Sequence, residues 1–84
     1  MNEKECYRCG TNNAVALHEP LMGKNRKLSI KYKLQVPLCF YCHRLAHDEK
    51  NQEFNNFLKK EMQSKFEENH TRSEFIRIFG RNYL

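Results

Sequence analysis

The stretch Leu38-Cys39-Phe40-Tyr41-Cys42-His43-Arg44-Leu45-Ala46-His47 decides how the chain is built. Two residues separate its cysteines, so one turn of backbone can aim both sulfurs at a single ion. Its histidines stand four residues apart, on one face if the segment is helical. A matching pair, Cys6-Tyr7-Arg8-Cys9, lies near the start of the chain. Tetrahedral Zn²⁺ takes four thiolates, and the two pairs predict one structural zinc held by Cys6, Cys9, Cys39 and Cys42. The 29 residues between the pairs exceed the usual ribbon spacing and must hold an insertion. Two disulfides, or a redox pair with buried thiols, are the competing readings. No apolar stretch precedes Cys6, so no secretory leader is expected, and the chain is expected in a reducing cytoplasm where disulfides rarely persist. No βαβ pattern supports a redox pair.

Outward from this centre, Cys6–Gly10 reads as a zinc-knuckle turn, with Gly10 free to take a positive φ. Residues 14–18 read as a short strand ending at Pro20. Leu28 to Val36 alternates apolar and polar, the period of a half-buried strand, most strongly over Leu34–Leu38. Its first half is compatible with a short helix or loop. A helix is expected from Phe40. A second should carry the stripe Phe54, Phe57, Leu58, Met62 and Phe66, ending at Asn69 and His70, the latter without a role. Thr71-Arg72-Ser73-Glu74 reads as a capping box opening a last helix with Phe75, Ile76 and Phe79, stopped by Gly80. The expected fold is a small zinc-stapled α+β domain over residues 1–84: a zinc knuckle with strands and helix over 6–50, and a helical extension over 51–84.

Eighty-four residues leave no room for a large catalytic core, and a domain this small is marginal without a staple. No apolar run is long enough to span a membrane. Lys and Arg number 15 against 10 Asp and Glu, giving a formal charge of +5 that a four-thiolate zinc centre would lower by two. Lys24, Arg26, Lys27, Lys31 and Lys33 cluster with no acid among them, which suits a polyanion such as DNA and equally a solvated loop.

The chemistry gathers on three histidines. His18 closes the first strand, and His43 and His47 share a helix face, so the three imidazoles can grip one ion and leave positions open for water or phosphate. Glu19 adds a carboxylate able to take a proton from water.

With its Cys-x-x-Cys pairs, its strand histidine and its Cys42-His43-x-x-x-His47 segment, the chain resembles the zinc-stapled HNH endonucleases. Leu17-His18-Glu19-Pro20, Asn25-Arg26-Lys27-Leu28-Ser29-Ile30-Lys31-Tyr32 and Phe79-Gly80-Arg81-Asn82-Tyr83-Leu84 resemble small HNH-like proteins of phages and prophages. The resemblance covers nearly the whole chain. It implies a ββα-metal (His-Me) finger in which a divalent cation, Mg²⁺ or Mn²⁺, lies between hairpin and helix and holds the scissile DNA phosphate. The four-cysteine zinc would then be structural. Two frames fit the family pattern. His18 is a metal ligand with Glu19 as the base, or His18 is itself the base. The family's orienting asparagine falls in register on Leu34, which makes Asn25 and Gln35 the candidates for that role. The implied function is a DNA endonuclease of a phage- or prophage-encoded kind in a bacterial cytoplasm. The alternative is a finger that has lost catalysis and binds DNA or inhibits a host protein. A second copy of the chain, or a host or phage protein, is the other partner expected.

Overall fold

In the computed structural model, which describes residues 4–21 and 26–84, β1 (Val15–His18) pairs antiparallel with β2 (Val36–Cys39). Val15 faces Cys39 and His18 faces Val36. A helix, α1 (Arg26–Lys31), lies between the strands in sequence. α2 (Phe40–Ala46) follows β2 without a loop, and α3 (Glu53–Glu67) and α4 (Arg72–Phe79) complete the described chain. The architecture is α+β, with one two-stranded sheet and four helices among the described residues. None of these helices is long and apolar enough to cross a membrane.

All four residues of β2 are buried, which explains why Val36-Pro37-Leu38-Cys39 shows no polar alternation. The alternation upstream of it misleads. Leu28–Lys33 does not extend the strand; residues through Lys31 form α1. The reason lies at the C-terminus of that helix. Lys33 takes φ 59°, the Lys33 N–H donates to the Ile30 carbonyl at 3.2 Å, and the Leu34 N–H reaches back to the Ser29 carbonyl at 2.7 Å. These are the two bonds of a Schellman motif, which closes a helix and reverses the chain. Leu28 and Tyr32, four residues apart, then pack on one apolar cluster, as helical spacing allows.

Two clusters form the core. Cys6, Val36, Leu38, Cys39, Cys42, Ala46 and Leu58 make the first, with Val15 and Phe54 against it. Leu21, Leu34, Met62, Phe66, Phe75 and Phe79 make the second. α3 serves both, through Leu58 at one level and Met62 and Phe66 at the next. Phe57 departs from the expected stripe and is 48% exposed, while Asn55 and Gln63 are buried in its stead. Phe57 sits about 100° around the helix from Leu58, which turns it off the packed face. Ile76 is likewise exposed, and Phe75 and Phe79 carry the inner face of α4.

The capping box is present. The Glu74 N–H donates to the Thr71 hydroxyl at 3.1 Å, and the Thr71 N–H donates to the Glu74 carboxylate at 3.3 Å. Gly80 ends α4 at φ 78°. His70 does have a structural role: its ring stacks on Phe66 at 4.3 Å between centroids, and Nδ1 lies 3.3 Å from the Glu74 carboxylate.

Candidate metal centres

The knuckle turn brings Cys6 and Cys9 to the start of α2. The Gly10 N–H donates to the Cys6 carbonyl at 2.9 Å, and Gly10 takes φ 76°. Cys39, the last residue of β2, is also the N-cap of α2, its sulfur accepting from the Cys42 N–H at 3.5 Å. The four sulfurs lie within 4.8 Å of one another, and none is in a disulfide. Cys9 Sγ and Cys39 Sγ are 3.6 Å apart. A tetrahedron with Zn–S bonds of about 2.3 Å has edges of about 3.8 Å, so the cluster suits a structural metal such as zinc.

The four thiols are unequal. Burial raises Cys6, but the backbone N–H groups of Cys39, Cys9 and Arg8 outweigh it and bring the thiol down to about 6. Burial pushes Cys42 up to about 12, with the other thiols adding to the shift. Arg8, inside the knuckle, donates from Nη1 to Cys42 Sγ at 3.8 Å and holds its guanidinium 5.7 Å over the Phe54 ring. It places a positive charge beside sulfurs that carry excess negative charge once metallated.

A second cluster stands on the same strand pair and helix. His18, at the end of β1, is 2% exposed. His43 lies within α2 and His47 is the C-cap of that helix. The His18 ring centroid is 4.8 Å from that of His43 and 5.0 Å from that of His47, and the latter two are 4.8 Å apart. His43 Nε2 and His47 Nε2 approach to 3.1 Å, close to the edge of about 3.3 Å for two nitrogens on one tetrahedral ion. Burial pulls His18 and His43 below the ordinary imidazole value, and the neighbouring imidazoles lower them further. Neutral, convergent nitrogens are the form in which imidazole binds a metal.

Glu19, the next residue after His18, does not stand alone. Gln35 Nε2 donates to its carboxylate at 3.2 Å, and Arg26 Nε lies 3.4 Å from the same oxygen. Of the candidates for orienting the base, Gln35 therefore touches Glu19. Leu34, beside it, is fully buried in the aromatic cluster. Asn25 and Lys24 lie outside the described residues. Arg26, Lys27 and Lys31 are exposed on α1, and Lys33 is exposed just beyond it, its carbonyl accepting from Lys65 Nζ at 2.8 Å.

Sequence reasoning missed two residues. Arg8 carried no signal beyond its place in the knuckle. Asn55, on α3, is 6% exposed, with Oδ1 lying 3.1 Å from His18 Nε2. A surface hollow beside it is lined by His47, Asp48, Glu49, Gln52 and Lys59.

Comparison with models of known families, with curated proteins and with solved structures finds no match to this chain.

Proposed function

We propose that the chain is a metal-dependent endonuclease of the HNH kind, of phage or prophage origin, that hydrolyses DNA phosphodiester bonds, with β1, β2 and α2 as its ββα-metal finger. The reading is carried by one observation: three imidazoles from a strand end and a neighbouring helix meet with centroids no more than 5.0 Å apart. His18, His43 and His47 hold the divalent cation. Mg²⁺ or Mn²⁺, when bound there, supplies charge compensation for the phosphate and the leaving oxygen. Glu19 accepts the proton of the attacking water, and Gln35 and Arg26 fix the direction of its carboxylate. Arg26, Lys27, Lys31 and Lys33, with Lys24, neutralise backbone phosphates on either side of the scissile bond. The four-cysteine zinc anchors α2 to the knuckle, which keeps two of the three histidines in place.

Nicking of supercoiled plasmid tests this. Wild-type protein with Mg²⁺ or Mn²⁺ should convert plasmid to open circles, and His43→Ala should abolish conversion while leaving the thermal unfolding of the zinc-loaded protein intact. Cleavage that persists in His43→Ala contradicts the assignment.

One observation favours a second reading. Leu34, buried in the core, fills the position where zinc-stapled members of the resembled family carry asparagine. On that reading the finger is a catalytically inert module that binds DNA or a host protein. It predicts salt-sensitive DNA binding, or a tight protein complex, with no cleavage under any metal.

A further inference from the structure

We propose that Asn55 is a positioning residue for the three-histidine site, its side-chain oxygen holding His18 in the tautomer that presents Nδ1 to His43 and His47. The inference rests on reading the three rings as one ion site, but does not require nuclease activity. Asn55 occupies a helix position turned into the protein and is 6% exposed, and His18 is 2% exposed. An amide at such a position costs free energy unless it is partnered. The Oδ1 atom can only accept a hydrogen bond, so the ring nitrogen 3.1 Å away, His18 Nε2, carries the proton. A neutral imidazole has one N–H, which leaves the Nδ1 lone pair free. Metal-ligating histidines generally donate their second nitrogen's proton to an oxygen in this way, and the partner fixes both ring orientation and basicity.

The placement gives the C-terminal helices a part in the site. Phe54 and Leu58 flank Asn55 on α3 and pack in the cluster that contains Cys6, Cys39 and Cys42. The four-cysteine centre and the His18 partner are thus fixed by one patch of packing. His43 and His47 are set by α2; His18, on the other side of the triangle, is set by α3.

Nitrogen-15 NMR of the ring nitrogens tests this on full-length protein with zinc in the cysteine site only, at about pH 8, above the ordinary imidazole value of about 6.5. Wild-type His18 should show protonated Nε2 and bare Nδ1. Asn55→Leu should give a mixed tautomer and bind Mn²⁺ or added Zn²⁺ at the second site about 10–100-fold more weakly. Asn55→Asp, which keeps an accepting oxygen, should restore both the tautomer and the affinity. A wild-type His18 protonated on Nδ1 overturns the proposal, and that result needs no variant to fold. An Asn55→Leu protein with unchanged tautomer and affinity overturns it equally. Failure of the wild type to take any second ion contradicts the ion reading beneath the proposal, and is read separately from the tautomer.

Discussion

His18 and Cys42 are buried residues pushed in opposite directions by the same physics. Burial disfavours charge, so the imidazole is driven below its ordinary value and the thiol is driven up to about 12. The consequences for ion binding differ in sign. An imidazole must be neutral to bind a metal. His18 and His43 are already neutral at pH 7, and no proton has to leave. Protonation of His18 and His43 should therefore weaken the second site only as pH drops below the ordinary imidazole value of about 6.5. Cys42 holds its proton through the neutral range and must release it to zinc, so affinity at the cysteine centre should keep rising with pH. Competition titrations at several pH values separate the two. A second site whose affinity climbs steeply above neutrality contradicts the imidazole assignment. The candidate ligands were legible because each pair is local: two residues lie between paired cysteines and three between the helical histidines. Asn55 was not. Its partner is 37 residues away, and nothing in Phe54-Asn55-Asn56-Phe57 distinguishes the inward amide from its exposed neighbour.

At the level of elements, the helices from α2 onward followed from local signals, since the Thr71–Glu74 box and Gly80 act within a few residues. α1 did not. Leu28, Ile30, Tyr32 and Leu34 satisfy a two-residue period, and only the backbone reversal at Lys33 converts the first part into a helix. That reversal is unusual because a lysine occupies the left-handed position at φ 59°. A non-glycine residue there costs about 1–2 kcal/mol, partly offset by the greater unfolded-state entropy of glycine. Lys33→Gly should stabilise the protein by about 1 kcal/mol, seen as a rise in Tm of about 4–8 °C. A fall in Tm would mean that the Lys33 side chain, or a different closure of α1, holds this corner. The capping of α1 matters to the site, because Gln35 follows two residues later and reaches Glu19.

The whole molecule is built around two adjacent clusters on one scaffold. The chain has 84 residues and a radius of gyration of 12.6 Å, so its apolar clusters are small. A metal held by the four cysteines would compensate by tying the knuckle to the end of β2 and the start of α2, and the same β2–α2 junction places His43 and His47 beside His18. One anchor would thus stabilise the fold and order the three rings. The basic α1 lies next to Glu19 through Arg26. The decisive measurement is anomalous diffraction from crystals of the zinc-loaded protein soaked in Mn²⁺. A zinc peak should lie among the four sulfurs and a manganese peak among His18, His43 and His47; zinc alone, with the three rings turned apart, rules out a second metal site.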